Sequence, residues 1–346
     1  NGGHNYTLTL DHVTKGYEMF GDDRMVVGIS MSHPPPTGIK MTKEEEEDLK
    51  KAGGTIKPSP PAVVGVAVNS ALRPTEFIGD VRYQDARRTD PYSNLDEVIN
   101  MLVRRFCGGF QPDGQLGPMQ ARPPKKLIIY RQGPTEADYA DIISREAPVI
   151  RQLMAGMGSP NCKLTYIVVS KEHNIRIMKG QINPNDKAPD QNIPVGTCVD
   201  TQIVHPNHKE FFINSHSTLQ GSARTPRYTV VVDDCDYKLD ELQLLTHGLC
   251  FGFQIINSPV SVPAPLYVAN RYAQRGRDLY QAKSTDEMSS TTGNKNGAQN
   301  GNPPNGNGQA NANGHGNGKG KGLEIPKLNA SIAYYNSKLG NVRINA

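Results

Sequence analysis

Apolar residues in this chain fall into short runs, and the spacing inside each run predicts what it becomes. Met25 to Ser30 (MVVGIS) is continuous and ends at Ser-His-Pro-Pro-Pro, the pattern of a buried strand that opens into a loop at its carboxyl end. Ala62 to Val68 and Thr75 to Gln84 run or alternate on either side of Asn69 to Pro74, which predicts a hairpin and makes three strands in succession. Leu95, Val98, Ile99, Leu102 and Val103 recur at helical spacing within Asn94 to Phe106, the stripe of a helix that covers a sheet. Lys126 to Tyr130 then reads as a strand, Thr135 to Met154 as a helix and Leu164 to Ser170 as a strand, so the chain alternates as an α/β protein does. Glu210 to Ile213 and Tyr228 to Val232, rich in β-branched and aromatic residues, flank a polar segment containing Ser215, His216, Gln220, Gly221 and Arg224. They predict two strands presenting a basic loop. Leu239 to Phe251 and Tyr267 to Tyr280 predict two further helices, the second bearing Arg271, Arg275 and Arg277.

Two stretches break this rhythm. KMTKEEEEDLKKAGG, from Lys40 to Gly54, is a charged surface insertion to which no function is assigned. From Ser284 to Gly322 the chain is Asn, Gly, Gln and Ser with almost no large apolar side chain, so it buries too little to offset its ordering entropy and is predicted to be disordered. Leu323 to Ile325 and Leu328 to Leu339 are apolar enough to dock back on the core.

Composition narrows the picture less. A formal charge of +4 over 346 residues is mildly basic, compatible with a nucleic-acid partner if the cations cluster. Five cysteines without a C-x-x-C pair favour neither a disulfide framework nor a zinc knuckle and point to a reducing compartment. No apolar run has the length of a membrane span, and the opening NGGHNYTLTL has no signal-peptide form. The missing initiator Met leads us to expect more protein upstream.

The order of certain segments is distinctive. D-T-x-I-x-H-P (Asp200 to Pro206), F-x-x-x-S-H (Phe211 to His216), L-Q-G-x-x-R (Leu219 to Arg224) and Y-x-V-x-x-D-D (Tyr228 to Asp234) follow one another in a pattern that resembles the Piwi domain of Argonaute proteins. GISMSHPPP, IIYRQGPTEADY, YIVVSKEHNIRIM and SPVSVPAPLYVANRYAQRGR are similar to further segments of that domain, the third to a pair of strands. The resemblance implies an α/β, RNase H-like mixed sheet flanked by helices. It divides the chain into a linker from an upstream MID lobe (1–24), the Piwi domain (25–283), the disordered insertion (284–322) and a carboxyl-terminal segment docking back (323–346). Asp200, Asp233 and Asp234 are kept by relatives outside the cleavage set, so turn and cap roles are expected for them.

Active family members cut a target RNA opposite a guide strand with two divalent metals held by Asp-Glu-Asp-His or Asp-Glu-Asp-Asp. Magnesium needs such anionic oxygens, and two ions about 4 Å apart clamp the attacking and leaving oxygens. By resemblance these positions are here Ser30, Thr89, Gln132 and Asn270, none of them acidic, so cleavage is expected to be absent and no metal is expected to serve catalysis. Asp85 or Asp90 stands nearby in sequence, leaving a residual metal-dependent RNA-guided endonuclease as the alternative. Guide contacts persist better: Lys171, Arg176, His216, Gln220, Arg224, Ser261, Tyr267 and Arg275 match positions used against guide phosphates. Arg275 and the terminal Ala346 belong to the 5′-phosphate vicinity, where a magnesium ion is the one cofactor the resemblance allows. Phe253, Ile255, Glu172 and Asn174 depart from the family at guide-facing places. The loss of the cleavage set together with the Asn-rich insertion resembles the worm-specific Argonautes that take secondary guides. The expected partners are a single-stranded small RNA guide, a complementary target RNA and protein silencing effectors, with no membrane. The expected setting is a monomer within a full-length Argonaute, in the cytoplasm or a perinuclear granule, with the nucleus as the alternative. A scaffold that no longer binds RNA is the third reading, opposed by Lys171, Arg224 and Arg275.

Overall fold

The apolar run that predicted the first strand is paired on both sides. In the computed structural model β1 (Arg24–Ser32) lies antiparallel to β2 (Ala62–Asn69) and parallel to β4 (Lys126–Gln132). β2 pairs antiparallel with β3 (Phe77–Gln84), and β4 pairs parallel with β5 (Lys163–Ser170). β8 (Arg227–Asp233), β7 (Lys209–Asn214) and β6 (Thr197–Val199) complete one eight-stranded sheet in the order β3-β2-β1-β4-β5-β8-β7-β6. The structure describes residues 5–6, 21, 23–34, 60–71, 74–85, 95–108, 118–119, 121–293, 325–332 and 334, the side chains of 285–293 excepted.

Central strands covered on both faces read as continuous hydrophobic runs because neither face meets water. On one face α1 (Leu95–Phe106) and α2 (Ala147–Gly156) bury Ile99, Leu102, Ile150 and Met154 against Val27, Ile29, Leu127 and Ile129. On the other, α3 (Leu239–Cys250), α4 (Ala264–Gly293) and α5 (Ile325–Ile332) cover Val26, Ile128, Tyr130, Ile167, Phe211 and Tyr228. α2 is entered through a 3-10 turn at Glu136–Asp138, capped by Thr135 and Asp138, and a π-helical turn at Ile142–Glu146.

The position of α4 is set by two glycines. A Cβ on Gly28 would stand 2.1 Å from the Pro265 carbonyl oxygen, and one on Gly65 would stand 2.0 Å from that of Ala269. Only glycine lets helix backbone rest directly on strand backbone there. The edge strand β3 is closed by α5: the Asn329 side chain accepts from Tyr83 N at 2.7 Å and donates to Tyr83 O at 3.1 Å, as a neighbouring strand would. Beside it, Asp80 accepts from Tyr334 N and from the Arg105 guanidinium of α1. Asp233 accepts from Tyr237 N at 3.0 Å, and Asp234 from Leu164 N at 3.1 Å with Arg151 paired to it, so both tie turns at the β8 end.

Some expectations differ from the structure. α4 begins at Ala264, ahead of Tyr267, because Pro265 in its first turn lacks only an N–H that has no helical partner there. It continues to Gly293, past Ser284 where the disordered insertion was expected, since extending an established helix needs no new nucleus. After Ser170 no second strand of the expected pair forms: β5 already has β4 and β8 at its two sides, and the chain leaves the end of the sheet. The three-residue β6 and the helical turn Ala188–Gln191 left no periodic signal. Lys40 to Gly54, Thr89, Asp90, residues 294–322 and Ala346 lie outside the described residues.

Candidate nucleic-acid interface

Because β1 and β4 are parallel neighbours with Ile29 opposite Arg131, Ser30 and Gln132 come next, level with each other at the carboxyl ends of their strands. They project to the face crossed by α4, and the close seating of that helix delivers Asn270 between them. Ser30 Oγ donates to Asn270 Oδ1, and Asn270 Nδ2 donates to Gln132 Oε1 at 3.0 Å. Ser30 is buried, whereas Gln132 and Asn270 are half-buried. Three positions far apart in sequence thus meet as one uncharged hydrogen-bonded chain. The two side-chain carbonyls each accept a bond from within the chain, and the open end is the Gln132 amide N–H.

A magnesium pair does not fit this arrangement: it requires several anionic oxygens at about 2.0–2.1 Å, and these groups offer no charge and an outward donor. Among the described residues no three His, Cys, Asp or Glu side chains converge as metal ligands. Asp85 follows β3, two strands from β1, and Val81 is level with Ser30 through Gly65. That places its Cα roughly 16 Å from Ser30, from two strand spacings of about 4.8 Å and four residues of about 3.3 Å.

The same rim carries a cationic cluster. β5 is parallel to β4 with Val169 opposite Gln132, so Lys171 emerges about 8 Å from Gln132, one strand spacing across and two residues on. Its ammonium donates to Ser261 Oγ at 2.7 Å. Burial, and then the nearby Arg224 guanidinium, hold the Lys171 amine below its usual range. Burial and Lys171 together do the same to His216. Among the described residues neither Lys171 nor Arg224 forms an ion pair, so the repulsion between these two cations is uncompensated by any acid. Packing holds them together all the same: Ser215 Oγ donates to Val260 O at 2.8 Å, fastening the end of β7 to the segment that carries Ser261. Uncompensated positive charge gathered at one rim is the electrostatic footprint of an anion site.

The other expected guide contacts are arranged differently. Arg176 is exposed and turns back to donate to His173 O and Ile175 O, and Gln220 is exposed on the loop between β7 and β8. Tyr267 packs its ring on Phe253 with centroids 4.6 Å apart, at the margin of the core. Arg275 lies eleven residues along α4 from Ala264, about 16 Å of helix rise, and interacts with the Tyr334 hydroxyl, apart from the Lys171 cluster. Sequence reasoning overlooked Gly28 and Gly65; the signal was available as a lone glycine inside each of two apolar strand runs. Among the described residues no helix is long and apolar enough to cross a membrane.

A family model described as the Piwi domain matches residues 1–281. The Argonaute protein wago-1 of Caenorhabditis elegans is 36% identical over 284 residues, covering 82% of this chain and 27% of that protein. Argonaute protein wago-4 of the same organism is 34% identical over 279 residues, covering 75% of this chain and 26% of that protein. The chain therefore spans about a quarter of the length of these relatives. The structure of Kluyveromyces polysporus Argonaute with a guide RNA superposes with a TM-score of 0.64 at 20% identity, over 83% of this chain and 32% of that one. At that identity the likeness is one of fold: a mixed sheet with helices on both faces.

Proposed function

This chain belongs to the Piwi domain family, and on that premise we propose that it grips a small single-stranded RNA guide, presents it to a complementary target RNA in gene silencing, and does not cut the target. The observation that carries the reading is the juxtaposition on one rim. Lys171 and Arg224, beside the imidazole of His216, gather positive charge without acidic partners among the described residues, while Ser30, Gln132 and Asn270 close into a neutral chain where active relatives hold their metals. Cations clustered at strand ends track a phosphate backbone and fix its register without reading bases. Neutral amides and a hydroxyl lack the charge to offset the dehydration of two adjacent magnesium ions. Silencing then falls to protein effectors recruited by the guide-loaded protein, and the worm relatives support placing it among Argonautes of that kind.

Recovering the protein from its own cells and sequencing the co-purified nucleic acid tests the first half; short single-stranded RNA of narrow length is expected. Charging it with a synthetic guide and adding a matched target tests the second. The target is expected to be bound and to stay intact in magnesium, and rapid cutting at one position would overturn the reading in favour of displaced carboxylates.

A further inference from the structure

We propose that the cavity at the amino ends of β1, β4 and β5 is a binding site for a phosphomonoester group, separate from the guide path. The cavity has a volume of about 430 Å³, and its lining includes Asp23, Lys125, Lys126, Ser159, Asn161 and Lys163. Lys126 precedes Gln132 by six residues along β4, about 20 Å of strand, so this cavity and the Lys171 rim lie at opposite ends of the sheet.

Its basis is charge that the backbone forces together. Lys126 and Lys163 are directly opposite in the parallel β4–β5 ladder, and Arg24 is opposite Lys126 on β1, so three cations stand in one row across three strands. Neighbouring strands are about 4.8 Å apart, and like charges directly opposite each other destabilise a sheet. Arg24 is buried with its guanidinium 5.8 Å from the centroid of the Tyr237 ring. Lys126 is half-buried, and Lys125 and Lys163 are exposed. Among the described residues none of these three lysines forms an ion pair. Asp234, whose carboxylate senses Lys163, is already paired with Arg151. The segments that carry the lysines are pinned: Lys125 N and Lys126 N both donate to Asp23 O, and Lys163 N donates to Lys125 O. The turn after α2 is fastened to the same strand ends, since Ser159 Oγ donates to Pro124 O at 2.5 Å and Cys162 N donates to Ser159 O.

Three ammonium groups and the Asp23 carboxylate leave the lining with an excess of positive charge, and a phosphomonoester carries about −1.5 to −2 at neutral pH with three acceptor oxygens. A dianion seated between Lys126 and Lys163 turns their repulsion into two attractions. Lysine serves as the point charge of such a site, and the Asn161 amide adds a neutral donor. A continuous polynucleotide fits less well, because the lysines converge on one cavity instead of following a track.

The test is thermal unfolding of the full-length protein at constant ionic strength, in potassium chloride alone or with one of five probes. These are inorganic phosphate, inositol hexakisphosphate, a phosphoserine peptide, its unphosphorylated form, and single-stranded RNA bearing no terminal phosphate. Phosphoryl probes are expected to raise the wild-type Tm in a saturable way. The double variant Lys126→Met, Lys163→Met is expected to bind them at least about tenfold more weakly, the worth of one charge-assisted hydrogen bond. Lys187→Met, at an exposed lysine outside the cavity, is expected to keep the full response. Without a probe the double variant is expected to melt no lower than the wild type, since the repulsion is gone; should it fail to fold, Lys163→Gln at its exposed position gives the same comparison. A response to inositol hexakisphosphate alone assigns a free ligand, and one to the phosphoserine peptide but not its unphosphorylated form assigns a phosphorylated protein; either supports the site. No rise in the wild type, or an equal rise in wild type and lysine variants, overturns the proposal. So does a lysine-dependent response to the RNA alone, which would make the cavity part of a polynucleotide path.

Discussion

Replacing Gly65 by alanine tests how Asn270 reaches the strand ends. Gly65 is opposite Ser30 in the β1–β2 ladder. A Cβ there would lie 2.0 Å from Ala269 O, 2.5 Å from Ala273 N and 3.0 Å from Ala273 Cβ. The two closest atoms are helix backbone, so no change of rotamer relieves the clash and α4 itself has to move. Restoring an ordinary contact of about 3.4 Å requires a lift of roughly 1.4 Å, the difference between 3.4 and 2.0. Asn270 follows Ala269 directly, so its 3.0 Å bond to Gln132 stretches toward about 4.4 Å and is lost. Overpacking a core typically costs ~1–3 kcal/mol, and one lost hydrogen bond adds ~1 kcal/mol, for a total of about 2–4 kcal/mol. Urea unfolding read by fluorescence or circular dichroism measures this, with Gly180→Ala as the control. A Cβ on Gly180 meets nothing within 4 Å, and its replacement is expected to change stability by less than about 0.5 kcal/mol. Equal stability of the two variants would refute the seating of α4 on β2 and, with it, the account of how the neutral chain is assembled.

Lys171→Met keeps most of the aliphatic stem and removes the charge beside Ser261. Affinity for single-stranded guide RNA is expected to fall, and the slope of log affinity against log salt to shrink by about 0.7, as fluorescence anisotropy across a potassium chloride series reads it. An unchanged slope would remove Lys171 from the phosphate path. His216 is held below its usual 6.5 by burial and by Lys171. The folded protein therefore binds fewer protons than the unfolded chain just below pH 6.5, and the stability contribution of His216 declines as the pH falls through that window. A bound phosphate favours the imidazolium, so RNA affinity is expected to rise between about pH 7.5 and pH 5.5, and His216→Asn to flatten that rise; a wild-type affinity indifferent to pH would contradict the assignment. Asn329→Ala leaves Tyr83 N and O without their amide partner. A loss of about 1–3 kcal/mol is expected, with faster hydrogen exchange at Tyr83, and unaltered exchange there would show that α5 does not close the β3 edge.

Much of the sheet was legible because burial on both faces leaves a local trace. Met25 to Ser30 and Leu164 to Ser170 are dominated by apolar residues, and Leu95, Val98, Ile99 and Leu102 recur with the 3.6-residue period of one helix face. What was missed carries no such trace. β6 has three residues, too few for a period, and exists because β7 presents it an edge. The run after Ser170 has strand-like residues and forms no strand, because no edge is free beside it. Arg275 and Lys171 match the same functional pattern in sequence, yet α4 carries Arg275 away to Tyr334 while the end of β5 leaves Lys171 beside Ser261.

Residue order alone was enough to determine the α/β class, which follows from side-chain type and local spacing, and the family, which follows from the resemblance of ordered segments to Piwi domains. Only the tertiary structure decided that Ser30 and Asn270, 240 residues apart, bond to each other, that Gln132 closes the chain with an outward donor, and that Lys171 and Arg224 share a rim with no acid paired to either among the described residues. The reason is that hydrogen-bond polarity and charge repulsion depend on distances, and these arise only when parallel strand ends and a helix resting on glycine meet across the fold.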